Sequence, residues 1–196
     1  MKNLTTYCLI ILCVTLIIAV IPTEADGAIY EDTVRLHILA NSDSEEDQAL
    51  KLKIRDDILT EFSAELRGID TPDEAKTHLK YILPQIESFA KKKLTEYGYS
   101  YSVSATLSEE WYDTRDYDDF TLPKGYYTSL RIIIGEGEGK NWWCVMYPPL
   151  CLDIATENAP SDDAVKKYND NEFILISKNG YNAKFKVLEL VSSIFP

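Results

Sequence analysis

Two histidines, His37 and His78, are the chain's whole supply of imidazole, so proton transfer near neutral pH falls to one of them or to a perturbed carboxylate. His37 stands in the alternating run Arg35-Leu36-His37-Ile38, which puts Arg35 and His37 on one face of a strand. His78 lies between Thr77 and Leu79 in a helical pattern. Neither neighbours a serine in a strained turn, so the pairing of nucleophile and base has no local signature. A Cys/His pair would have to draw Cys144 out of a strand. His37, His78, Cys144 and Cys151 are zinc-type donors, but none stand at the close spacing that zinc sites use. Asp43, Glu45, Glu46 and Asp47 lack the mid-loop glycine and closing glutamate of a calcium loop. Acids in the first turn of a helix explain them better. No catalytic residue, metal or cofactor is expected.

The segment Gly135-Glu136-Gly137-Glu138-Gly139-Lys140-Asn141 invites a phosphate-loop reading. Its spacing is one residue short, Asn141 replaces the hydroxyl, and two glutamates would repel phosphate. A turn between two hairpin strands is expected instead.

Two stretches stand out. From Arg35 to Arg55 the sequence is rich in polar groups, with Asn41, Asp43, Asp47, Gln48, Lys51 and Arg55, and positions 47, 51 and 55 repeat on one helical face. An ion-pair ladder worth about 0.2–0.5 kcal/mol per pair accounts for that spacing. A recognition surface beside His37 does so equally, and the two are compatible. On the second view, alanine at Asp47, Lys51 or Arg55 leaves folding intact. The other stretch is Trp142-Trp143-Cys144 to Pro148-Pro149-Leu150-Cys151. In a strand the tryptophans point to opposite faces, one into the core and one under a helix or free to anchor a partner. Outside the cytosol, Cys144 and Cys151 around a Pro-Pro turn form either a bridge or two reduced, buried thiols.

The elements that position these groups follow from periodicity. Thr33 to Ala40 is apolar and β-branched, a strand. Asn41-Ser42-Asp43-Ser44 offers helix caps, Leu50, Ile54, Ile58, Phe62 and Leu66 make one buried stripe, and Gly68 ends it. Thr71-Pro72-Asp73-Glu74 caps a second helix, which Pro84 should kink or split and Gly98 should stop. Tyr99, Tyr101, Val103, Ala105 and Leu107 then alternate with hydroxyl residues in a half-buried strand. The loop around Asp113, Asp116, Asp118 and Asp119 is acidic and solvated. Tyr127 to Ile134 and Asn141 to Tyr147 form the hairpin. Residues 153–171 are weakly patterned, Phe173 to Ile176 is a last strand, and Val187 to Phe195 a closing amphipathic helix. The whole is a two-layer α+β fold, its sheet mostly antiparallel with about four or five strands, two long helices near the N-terminus and one at the C-terminus.

Residues 1–25 read as an export leader. Lys2 precedes an uncharged stretch from Tyr7 to Ile21, and Thr23-Glu24-Ala25 supplies small residues for cleavage. An uncleaved membrane anchor is the alternative, since Leu4 to Ile21 reaches the spanning threshold. Residues 26–196 then form a single exported domain. Lys2 and Glu24 are the leader's charged groups, so its removal leaves the net charge at −12. Such a chain repels phosphate backbones and anionic lipid, which sets sequence-independent nucleic-acid binding aside.

Val34 to Asp43, its continuation through Asp47-Gln48-Ala49-Leu50-Lys51 and Arg55-Asp56, and Asn141 to Cys151 resemble stage II sporulation protein R. Thr121-Leu122-Pro123-Lys124-Gly125 and Leu130-Arg131 match in order and spacing, although Lys124 stands where alanine is expected and Thr128-Ser129 where glutamate-alanine is. The resemblance covers essentially all of residues 26–196, least so 153–171. It implies a signalling protein of endospore formation, secreted from the forespore into the space between forespore and mother cell. There it would activate the membrane aspartic protease, stage II sporulation protein GA, that processes the precursor of sigma E. The implied protein is no enzyme and takes no nucleic acid or small-molecule substrate; membrane contact comes only through the leader or the partner. Arg35, His37, Asn41, Asp43, Asp47, Gln48, Lys51, Arg55, Trp142 and Trp143 are the expected partner-binding residues. An extracellular hydrolase using His37 with acidic neighbours is the competing expectation, and a structural protein of the cell envelope a third.

Overall fold

The computed structural model describes residues 2–20, 24–117 and 120–149. In chain order these form α1 (Lys2–Val20), α2 (Glu24–Glu31), β1 (Val34–Leu39), α3 (Glu45–Arg67), α4 (Pro72–Glu96), β2 (Val103–Tyr112), β3 (Arg115–Asp116), β4 (Thr121–Leu122), β5 (Gly125–Ile134) and β6 (Asn141–Tyr147). The expected strand at 173–176 and the helix at 187–195 lie outside the described residues, as does Cys151. No helix among the described residues is long and apolar enough to cross a membrane.

Helix boundaries follow from local chemistry. Ser44 caps α3 by accepting from the Asp47 N–H at 3.1 Å, and Thr71 caps α4 by accepting from Glu74 at 3.2 Å with Pro72 next in the chain. Such caps satisfy amide donors that a helix start leaves unpaired, at roughly 1 kcal/mol each. Pro84 does not split α4, which runs through it as one helix. Pro84 is exposed, so its missing N–H falls on the solvent side. The inward stripe Ala75, Leu79, Ile82, Ile86, Ala90 and Leu94 keeps its phase.

Sheet order is β2-β5-β1-β6, with a separate two-stranded β3-β4 hairpin. The expected hairpin of β5 with β6 is absent, because β1 lies between them, parallel to β5 and antiparallel to β6. The four-stranded sheet is therefore mixed, with two of its three pairings antiparallel and one parallel. The reason lies in β1: both of its faces and both of its edges are buried, and only a strand paired on each side satisfies its backbone. The glycine-rich segment is an arch over the end of β1.

Leu36 is paired with Leu130, and Leu130 with Leu107. These residues, with Ile38, Ile132 and Ala105, meet the stripes of α3 and α4 in one core. Each fully buried Leu or Ile there contributes about 1.5–3 kcal/mol. The opposite sheet face carries Arg35, His37, Ser129 and Tyr112. It is covered by Tyr117 of the hairpin region and by Tyr30 of α2, whose ring lies 5.1 Å from that of Tyr127.

Candidate functional site

Two constellations involve the expected site residues, and β1 links them. The first is a clasp at its C-terminal end. Asp47 is buried and accepts from Asn41 Nδ2 at 2.9 Å and Ser42 Oγ at 2.6 Å. The Ser42 bond leads the causes that hold its carboxyl below the usual value, against an opposing effect of burial. Lys51 is also buried, donating Nζ to Gln48 Oε1 at 2.7 Å and to the Lys140 carbonyl at 2.8 Å. Burial pushes this ammonium down, partly offset by Asp43. The arch closes over these groups through backbone bonds. Gly139 N donates to Ala40 O at 3.0 Å and Glu138 N to Asn41 O at 3.3 Å. Lys140 N donates to Asp43 Oδ1 at 2.6 Å, and Glu136 N to Asn41 Oδ1 at 3.1 Å. Close approach requires glycine here: a Cβ on Gly139 would collide with the Ser42 carbonyl oxygen, and Gly137 has φ +68.

That geometry corrects the expected ion-pair ladder. Asp47 and Lys51 do not pair with each other; they tie the start of α3 to the arch. Their removal leaves buried groups unpaired, contrary to the expectation that alanine is harmless there. Arg55 is separate from the clasp. It is half-buried, pairs with neighbouring Asp56 at 2.7 Å and lies 4.7 Å over the Trp142 ring.

The second constellation occupies the sheet face away from α3 and α4. Arg35, with no exposed surface, lies 3.9 Å over the Tyr112 ring and 5.0 Å from that of Tyr127. Its Nη2 donates to Tyr117 Oη at 2.9 Å, while Nε and Nη1 find no hydrogen-bond partner among the described residues. His37 shares that face, as its alternation with Leu36 requires. Its Nδ1 is 3.0 Å from Glu110 Oε2, and its ring stacks on Trp143 with centroids 3.7 Å apart. Burial lowers the imidazole pKa more than the Glu110 bond raises it. Asn141 also favours the charged ring, and Nε2 has no hydrogen-bond partner among the described residues. Glu110 reaches Arg131 Nε at 3.6 Å, an ion pair too long for a hydrogen bond.

The sequence reading missed Glu110, Tyr112, Tyr117 and Arg131. Its signal for β2 stopped at Ser108. Carried two steps further, the same alternation puts Glu110 and Tyr112 on the hydroxyl face with Thr106. Trp142 and Trp143 take opposite faces as expected. Trp142 packs against the core beside Arg55, and Trp143 against His37. His78 is remote, paired with Glu65 at 2.8 Å. Cys144 is buried and disulfide-bonded. Among the described residues no group of three or more His, Cys, Asp or Glu is placed to hold a metal ion.

Comparison with known proteins matches residues 30–157 to the family model for stage II sporulation protein R. The match takes in both constellations and ends short of the 26–196 span over which the resemblance was expected. Stage II sporulation protein R of Bacillus subtilis (strain 168) is 37% identical over 143 residues, covering 72% of this chain and 62% of that relative. The match thus spans less than two thirds of the relative's length. No solved structure matches. With the matched span carrying β1, the clasp, the Arg35 face and Trp142-Trp143, this chain belongs to the stage II sporulation protein R family.

Proposed function

We propose that this protein is the secreted signal that the forespore sends to the mother cell during endospore formation. Its target on this reading is the membrane aspartic protease, stage II sporulation protein GA, which it switches on to process the precursor of sigma E. The observation that carries the reading is the family match over residues 30–157. The leader reading of residues 1–25 supports export into the space between the two membranes, or tethering there if the leader is retained. A signal of this kind works by binding the active state of its target more tightly than the inactive one. With Asp47 and Lys51 occupied in the clasp and Arg35 and His37 under cover, contact falls to Asn41, Asp43, Gln48, Arg55, Trp142 and Trp143. All six are half-buried or exposed.

The test is reconstitution of the protease and the sigma factor precursor in vesicles, with and without this protein. Processing in its presence alone is expected, and equal processing in its absence ends the reading. The double variant Arg55→Ala/Trp142→Ala should lower processing while its circular dichroism matches the parent.

One observation favours the competing hydrolase. His37 Nδ1 lies 3.0 Å from Glu110 Oε2, as a general base lies against the carboxylate that orients it. Against it, Nε2, the atom that would activate a nucleophile, has no hydroxyl partner, and Ser129 Oγ is engaged with Tyr112 Oη at 2.5 Å. Turnover of ester or peptide substrates that His37→Ala abolishes would establish the hydrolase.

A further inference from the structure

β2 closes one end of the sheet order β2-β5-β1-β6, and among the described residues it pairs with β5 alone. One bond gives the direction of its outer edge: the Ala105 N–H points away from β5 and donates to Glu87 Oε2 of α4 at 2.9 Å. A residue in an antiparallel ladder turns its N–H and C=O to the same side, and that side repeats every two residues. Leu107, Glu109 and Trp111 therefore direct both groups outward as Ala105 does. None of the three has a backbone hydrogen-bond partner on that side among the described residues. Folded proteins ordinarily cover or blunt such an edge, because it is a template for another strand. Here Glu87 blocks the Ala105 end and the next stretch stays open. Beside it runs a groove of about 420 Å³, lined by Lys76, Lys80 and Leu83 of α4 and by Leu107 and Glu109 of β2. Lys80 is exposed and makes no ion pair among the described residues, and Lys76 reaches the exposed Asp73 at 3.7 Å. At the far end Trp111 and its cross-strand neighbour Tyr126, 52% and 63% exposed, pack edge to face with centroids 5.1 Å apart.

We propose that the edge of β2 from Leu107 to Trp111 is a docking site for an extended segment of a partner protein, which adds a strand there. Main-chain bonds to three residues supply the affinity, and the flanking side chains select the sequence. Leu107 and Trp111 stand about 14 Å apart along the strand, with the lysines towards one end and the aromatic pair at the other. The segment that fits carries an acid and an apolar residue on one face, an even number of positions apart. Glu109 takes up part of the lysine charge, so a single acid suits the groove better than a run of them. A second copy of this chain fits less well. Antiparallel pairing of β2 with itself sets Ala105, already occupied by Glu87, into the free stretch, or sets Glu109 or Glu110 against its own copy. The edge lies at the opposite end of the sheet from β6, which carries Trp142 and Trp143. It is thus a second contact surface, beyond the residues assigned to the protease, and does not rest on the signalling reading.

The experiment titrates the folded full chain with a short capped peptide of alternating valine and threonine in which one inner valine is replaced by glutamate. The readout is amide hydrogen exchange along β2. Exchange at Leu107, Glu109 and Trp111 should slow saturably, with Ala105 unmoved because its N–H is already bonded. The same peptide N-methylated at alternate residues cannot pair and should have no effect. Lysine in place of the peptide's glutamate, or Lys80→Glu in the protein, should weaken binding about threefold or more. Glu109→Pro removes one outward N–H and no bond to β5, so it should abolish the slowing. Lys80 is exposed on a helix, so its variant keeps the test valid if Glu109→Pro does not fold. No slowing at the three amides, equal binding of the N-methylated peptide, or undiminished binding by Lys80→Glu overturns the site. Three amides already slow in a chain that sediments as a dimer without peptide would give the edge to a second copy, and the proposal falls.

Discussion

Asp47 and His37 are both buried titratable groups, and their environments push in ways that give separate pH signatures. Asp47 has its carboxyl held below 3.8, chiefly by the Ser42 hydrogen bond. Its stabilising contribution is thus present above the unfolded value and lost as pH falls through the folded one. Asp47→Asn should cost about 1.5–3 kcal/mol at neutral pH, the usual worth of hydrogen bonds to a charged group. The deficit against wild type should shrink in acid; urea denaturation at pH 7 and pH 3 measures both. A neutral-pH cost near zero would mean the clasp does not depend on the charge. His37 is lowered from 6.5, chiefly by burial. For a base shifted down, stability is full above the unfolded value and declines as pH falls below it, because the unfolded chain binds the proton more readily. Wild-type protein should therefore lose melting temperature between pH 7.5 and 5.5. His37→Gln should flatten that slope, and an unchanged slope in the variant would assign the loss to other groups.

At the scale of elements, the arch from Gly135 to Lys140 decides more than its length suggests. It carries the chain from β5 across the end of β1 to β6, and its amides bind Ala40, Asn41 and Asp43 on the way. Gly139→Ala drives a methyl against the Ser42 carbonyl oxygen, a backbone atom that cannot turn aside. It should cost about 1–3 kcal/mol and raise hydrogen exchange at Gly139 and Glu138. Gly27→Ala, within α2 and with nothing near its added Cβ, should instead stabilise by about 0.4–1 kcal/mol. Equal effects at both positions would refute the close-packed arch. The helices α3 and α4 were legible in the sequence because their information is local: caps, stripes and stops lie within a few residues of each other, whereas α2, over residues read as the end of the leader, was not expected. β5 and β6 were legible as strands for the same reason. That β1 separates them was not, since a run such as Gly135 to Gly139 serves a hairpin or an arch equally. The choice depends on Val34 to Leu39, nearly a hundred residues away. Asp47, Lys51 and Arg55 failed similarly. Their spacing by four marks one helical face, but whether water or the Lys140 carbonyl meets that face is a tertiary fact.

For the molecule as a whole, the parallel pairing of β1 with β5 is long-range, with α3, α4 and β2 to β4 between them in the chain. Loop-closure entropy opposes such pairings, so a covalent tie near β6 adds where local contacts supply least. Cys144 is buried in β6 and bonded, whereas Cys8 and Cys13 are free. The expected partner is Cys151, which lies outside the described residues. A bridge around so short a loop stabilises by about 2.5 kcal/mol in the chain-entropy model. For a chain of this size that corresponds to roughly 5–10 °C in melting temperature. It also fits an oxidising compartment, the destination that the proposed secretion would give the protein. Protein recovered from that compartment without its leader should show no titratable thiol under denaturing, non-reducing conditions, and reductant should lower its melting temperature by that amount. Cys144→Ala/Cys151→Ala should melt as the reduced protein does and be indifferent to reductant. Two free thiols in the exported protein, or a melting temperature that reductant leaves unmoved, would place the stability of β6 in its pairing with β1 alone.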